Sequence, residues 1–99
     1  MVRIARQPQA RRDLIEIWNY IADDSVRSAD ALIHRVDAKL TLLATNPKLG
    51  RVRDELSAGL RSISVGRYIL FYQIMPDGIL LVCVLHSARD LASLLKGSV

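Results

Sequence analysis

Arg67-Tyr68-Ile69-Leu70-Phe71-Tyr72-Gln73-Ile74, then Met75-Pro76-Asp77-Gly78, then Ile79-Leu80-Leu81-Val82-Cys83-Val84-Leu85, is the stretch that decides the architecture. The first segment is apolar or aromatic at successive positions, so both of its faces need cover, as in an inner strand. Pro, Asp and Gly together set a tight turn. The second apolar run has the length and β-branching of a buried strand, and it stops at His86.

Upstream, Leu60–Val65 alternates, with Arg61, Ile63 and Val65 on one face and Ser62 and Ser64 on the other. Gly66 permits a tight turn into the inner strand, so the second half of the chain reads as a meander. Lys48–Gly59 is a polar loop carrying Arg51, Arg53, Asp54 and Glu55. Downstream, Leu91, Leu94 and Leu95 predict a short helix over 88–96, stopped by Gly97. His86 and Arg89 then stand at a strand-to-helix junction.

The first half is helical. After a short strand over Val2–Gln7, Pro8 suits a first helical turn. Ala10, Leu14, Ile17, Trp18 and Ile21 follow at helical spacing. Asp13 falls early in this helix, where the macrodipole favours negative charge. Asp23-Asp24-Ser25 breaks the pattern, and Ser25 or Ser28 can cap a second helix. That helix carries the stripe Ala29, Leu32, Ile33, Val36, Leu40 and Leu43, and ends at Thr45-Asn46-Pro47. The short link makes an antiparallel hairpin. The expected fold is α+β in two layers, the helical hairpin packed on a small antiparallel β-sheet (β-α-α-β-β-β-α). Residues 1–99 form one domain.

The chain has 99 residues, 51% of them hydrophobic, enough for a single core. The net charge is +4 and arginine dominates it, the lysines being Lys39, Lys48 and Lys96. This balance points to an acidic partner, a nucleic acid or an acidic protein segment. The bland alternative is a solvated basic surface. The single cysteine, Cys83, cannot form an intramolecular disulfide, which fits a reducing compartment. No signal-peptide core and no membrane-length apolar run is present, so a soluble cytoplasmic protein is expected.

Several chemistries are excluded. Two histidines and one cysteine, widely separated, give no zinc spacing, and no metal or cofactor is expected. There is no Gly-rich phosphate loop and no nucleophile elbow. Asp23-Asp24 reads as a helix breaker, Cys83 as a small buried hydrophobe, and Trp18 as core or partner contact. A basic and aromatic set remains on the sheet. Metal-free RNA cleavage needs a base, a cation for the phosphorane and an acid. Arg61, Arg67, His86 and Arg89 nominally supply these, with Tyr68 or Tyr72 for stacking. The structural alternatives are a backbone-bonded His86 and an Arg61 paired with Asp54, Glu55 or Asp90.

The order and spacing of these pieces resemble the ParE toxins of the RelE/ParE superfamily, the toxin halves of bacterial type II toxin–antitoxin modules. Ala10, Asp13-Leu14, Ile17 and Tyr20-Ile21 resemble the first-helix signature. Asn46-Pro47 with Gly50 resembles the segment after the second helix. Arg61, Ile63, Val65, Tyr68, Phe71 and Tyr72 resemble the central strands. Leu85-His86 with Arg89-Asp90 resembles the closing motif.

The resemblance implies a RelE/ParE-like fold and a cognate ParD-like antitoxin whose C-terminal segment folds onto the toxin. Operator DNA would be met only through that antitoxin. It further implies either poisoning of DNA gyrase, as in ParE-like members, or ribosome-dependent mRNA cleavage, as in RelE-like members. An attenuated toxin kept as a binding module is a third possibility. Nuclease members often place a lysine or glutamate base before the sheet centre, where this chain has Arg51 and Arg53. They often place a tyrosine after the closing arginine, where this chain has Leu91. Both departures favour the gyrase reading. The nuclease alternative would use Arg61, His86 and Arg89. Contact candidates for target or antitoxin are Arg11, Arg12, Trp18, Arg35, Arg61, Arg67, Tyr68, His86 and Arg89. The expected antitoxin dock is the groove between the two helices, flanked by Arg11, Arg12 and Arg35.

Overall fold

A computed structural model describes residues 2–88. Strand β1 spans Arg3–Arg6, helix α1 Pro8–Ala22 and helix α2 Val26–Thr45. A 3-10 turn follows at Pro47–Leu49, then strands β2 (Arg51–Val52), β3 (Leu60–Val65), β4 (Tyr68–Met75) and β5 (Gly78–His86). The predicted helix over 88–96 and its Arg89 lie outside the described residues.

Pro8 opens α1, and Ser25 caps α2 by accepting the Ser28 N–H at 3.1 Å. Ser25 rather than Ser28 is therefore the cap. Ala29, Leu32, Val36, Leu40 and Leu43 of α2 are buried, as their spacing requires. All of these but Ala29 pack with Val65, Leu70, Tyr72, Ile79, Leu81 and Val84 of the sheet, and Ile4, Leu14, Ile17 and Ile21 close the edges of this core.

The strand order is β1-β5-β4-β3-β2. The meander β3–β5 is antiparallel as expected, and β1 adds a parallel edge strand by pairing Arg3–Arg6 with Gly78–Leu81. The sheet is therefore mixed. Parallel pairing follows from the hairpin, which returns the chain to the sheet before the meander begins.

A second difference lies in β2. Arg51 and Val52 pair with Ser62 and Arg61, so the expected polar loop starts as an edge strand. Gly78 allows β1 to come close, since a side chain there would collide with the Arg3 carbonyl.

One irregularity resets the pattern of β5. Phe71 faces Cys83 while Tyr72 faces Leu81, so Val82 is left as a bulge. Leu70, Tyr72, Leu81 and Val84 consequently all reach the helix side. Leu60, Ile69 and Phe71 make a smaller cluster on the opposite face with Leu56, Val82, Cys83 and Leu85.

Candidate interaction surface

The pairing of β1 stops at Leu81, whose carbonyl accepts the Gln7 N–H at 2.9 Å. From Val82 to His86 the outer edge of β5 has no strand partner among the described residues. Helix α1 turns across that edge and places Asp13 on it. The Asp13 carboxylate accepts the Val84 N–H at 3.0 Å and the Gln9 side-chain amide at 2.7 Å. Asp13 thus substitutes for a neighbouring strand. The helix begins at Pro8, as expected, and Asp13 lies beyond its first turn, which holds no acidic residue.

Asp13 also lies beside Cys83. Burial first, then this carboxylate, pushes the Cys83 thiol up to about 11. A thiol so protonated is a poor nucleophile at neutral pH.

At the other end of the sheet, Arg61 stands opposite Tyr72 on the helix side. Its guanidinium donates to the carbonyls of Gly50 at 2.8 Å and Lys48 at 3.3 Å. The Tyr72 hydroxyl accepts the Gly50 N–H at 2.8 Å and donates to the Pro47 carbonyl at 2.7 Å. Burial pushes the Tyr72 phenol up, opposed by the Gly50 N–H and the Arg61 charge. Arg61 and Tyr72 together hold the segment after α2 onto the sheet. Of the partners expected for Arg61, Asp54 and Glu55 are replaced by backbone carbonyls, because the segment after α2 brings the Lys48 and Gly50 C=O groups against β3, and Asp90 lies outside the described residues. Asp54 instead accepts the Gly59 N–H at 3.0 Å.

His86 stands at the far end of the same sheet, edge-on to Tyr68 with ring centroids 5.5 Å apart. Its Nδ1 accepts the Ala88 N–H at 3.2 Å, a backbone bond of the structural kind. His86 pairs with Tyr68 and Arg61 with Tyr72, four residues apart along β4. That is about 13 Å along the strand. Arg61 and His86 are not brought together, and Arg89 lies outside the described residues.

What does converge is a different set. A cavity of about 500 Å³ is lined by Tyr20, Ile21, Ser28, Leu32, Arg35, Gly66, Arg67, Tyr68 and His86. A second, of about 290 Å³, shares Arg35 with it and is lined by Arg35, Ala38, Lys39, Leu42, Ser64 and Val65. Gly66 makes the junction possible. It has φ +58, and a Cβ there would come within 3.3 Å of the Arg35 guanidinium.

Arg11 and Arg12 line neither of these two cavities. Arg12 donates to Gln9 at 3.0 Å. Trp18 is half-buried, and its indole N–H donates to Asp30 at 2.9 Å, tying α1 to α2. Among the described residues, no three of His, Cys, Asp and Glu come together as a metal site. No helix there is long and apolar enough to cross a membrane.

Comparison with known proteins agrees with this architecture. Residues 4–91 match the family described as the ParE toxin of the type II toxin–antitoxin system parDE. Toxin ParE1 of Mycobacterium tuberculosis is 33% identical over 90 residues, covering 89% of this chain and 92% of that protein. Toxin ParE3 of Caulobacter vibrioides is 27% identical over 94 residues, covering 94% of each. A chain from the structure of the chromosomal ParDE toxin–antitoxin system of P. aeruginosa superposes with a TM-score of 0.71. It covers 87% of this chain and 96% of that one at 15% identity, which shows a shared fold. The family match over nearly the whole chain, on a helical hairpin packed against this sheet, means that the chain belongs to the ParE toxin family of type II toxin–antitoxin systems.

Proposed function

We propose that this toxin acts by inhibiting DNA gyrase, arresting growth, and that a cognate ParD-like antitoxin neutralises it. The observation that favours an inhibitor over a nuclease is the position of Arg61. Its guanidinium is committed to the Lys48 and Gly50 carbonyls, on a different part of the sheet from His86. A phosphorane clamp and a proton-transfer group must lie within reach of one phosphate. The protein would work as a binding surface, in the cytoplasm where gyrase and the chromosome are.

Expression without the antitoxin tests this reading. Double-stranded DNA breaks and filamentation with intact mRNA are expected. Growth arrest accompanied by cut mRNA would contradict it.

A further inference from the structure

Helix α1 carries two seams. Ala10, Leu14, Ile17 and Ile21 face the core. One residue further on, Arg11, Ile15, Trp18 and Ala22 repeat the same alternation of four and three residues, the spacing of a helix–helix contact. This second seam faces outward. Ile15 is 61% exposed, Arg11 is exposed, and Trp18 and Ala22 are half-buried. Helix α2 flanks the seam on one side, through the bond from the Trp18 indole to Asp30. A lone exposed isoleucine would be ordinary; an apolar seam with ordered charges at both ends is not.

Those charges define the partner. Arg11 and Arg12 stand toward the amino end of α1, and Asp23 and Asp24 follow its carboxyl end, all four exposed. The helix macrodipole favours the reverse, so helix stability does not account for the arrangement. Capping does not account for it either, since Ser25 caps α2. Arg11, Asp23 and Asp24 form no ion pair among the described residues, where the pair formed is Arg6–Asp37. Arg11 and Asp23 lie roughly 18 Å apart along the axis, too far to meet within one chain.

A second copy laid antiparallel satisfies all of these groups. A two-fold axis beside the middle of α1 sets Arg11 and Arg12 of each copy against Asp23 and Asp24 of the other. Between the ends, the alternation puts Ile15 in a layer with Trp18 of the second copy, and Arg11 level with its Ala22, next to Asp23. A parallel pair would set like charge on like. A uniformly acidic or basic partner would be attracted at one end and repelled at the other.

We infer that the outward seam of α1 is a self-association surface, pairing two copies of this chain antiparallel with reciprocal contacts from Arg11 and Arg12 to Asp23 and Asp24. The inference does not depend on the target of the toxin.

The test is sedimentation velocity of the purified full chain alone, at concentrations up to about 1 mM. The variants are Ile15→Glu, Arg11→Glu/Arg12→Glu, Asp23→Arg/Asp24→Arg, and an equimolar mixture of the two charge-reversal proteins. The control is Val52→Glu, at a site 47% exposed on β2 at the far edge of the sheet. Circular dichroism checks that each variant is folded, and Ile15→Gln serves if the glutamate disturbs α1.

The unmodified chain is expected to pass from monomer to dimer as concentration rises. Ile15→Glu and each charge-reversal protein alone should raise the dissociation constant roughly tenfold or more, and the mixture should return to within about threefold of the unmodified value. The control should change it by less than about threefold. A single monomeric species of the unmodified chain at every concentration would overturn the inference. So would a mixture that associates no better than either reversed protein alone, or equal weakening by the control. A monomeric chain whose gyrase inhibition is lost with Ile15→Glu would overturn it likewise and assign the seam to the target.

Discussion

The Tyr72 hydroxyl is buried against Gly50, whose N–H it accepts at 2.8 Å while donating to Pro47 at 2.7 Å. Tyr72 is 0% exposed, and its bond to Gly50 forms away from water while the one to Pro47 is half-buried. Tyr72→Phe leaves a buried N–H and a C=O without partners and is expected to cost about 2 kcal/mol in urea denaturation. Gly50→Ala costs more, because its Cβ would collide with the hydroxyl and lie 2.6 Å from a ring carbon. Combining the two does not restore stability, since the ring carbons remain. Tyr72→Asp buries a charge in an inner strand and is expected to abolish folding. A soluble, folded Tyr72→Asp protein would show that the strand register is wrong.

Asp13 carries a testable role of its own. It caps the part of β5 that β1 does not reach, through Val84. Asp13→Ala is expected to cost about 2 kcal/mol, the range for hydrogen bonds to a charged acceptor. The Val84 amide should lose protection from hydrogen exchange while amides of β4 keep theirs. Equal protection of Val84 in both proteins would contradict the capping role.

Cys83 gives a pH dependence with a definite sign. Its folded thiol is raised from 9.0 to about 11. The folded state therefore holds its proton more tightly than the unfolded chain. This contribution to stability is complete below about 9 and is lost as pH rises toward about 11. Tyr72, also raised, acts in the same direction. Denaturant midpoints should fall across that window, with a shallower fall in Cys83→Ala. At pH 8 the native thiol should react with a disulfide reagent much more slowly than the unfolded one. Similar rates would contradict the half-buried, protonated thiol.

Gly66 links fold to surface. Its left-handed backbone and the adjacent Arg35 guanidinium both oppose a side chain. Gly66→Ala is expected to cost about 1 kcal/mol and lower the melting temperature by a few degrees. A melting temperature equal to that of the unmodified protein would contradict this reading of the turn.

The helical hairpin and the β3–β5 meander were legible because their signals are local. The stripe from Ala29 to Leu43 has a 3.6-residue period, and Pro-Asp-Gly marks a turn wherever it falls. The parallel pairing of β1 was not legible, since four residues with two apolar side chains carry no information on direction. Strand β2 is two residues long and exists through its partners on β3. The bulge at Val82 hides in a run apolar at every position, where one skipped residue leaves no trace.

The same distinction governs the site. His86 could be placed at a strand end from the chain alone. Arg61 reads as a phosphate clamp or as the partner of Asp54, Glu55 or Asp90 until the carbonyls of Lys48 and Gly50 are seen beside it. Arg67 is far in sequence from Arg35 and Lys39, and it shares a cavity with Arg35 because Gly66 lets the β3–β4 turn lie against α2. The helical spacing of Arg35 and Lys39 was the available clue to their shared face. Nothing local announced the third member.

The central claim is inhibition of a topoisomerase by binding. Its most direct test is a supercoiling and DNA-cleavage assay with purified gyrase and this protein, run beside a ribosome-dependent mRNA cleavage assay. The account predicts loss of supercoiling and accumulation of cleaved DNA, with mRNA intact. Cut mRNA with unaffected gyrase would contradict it.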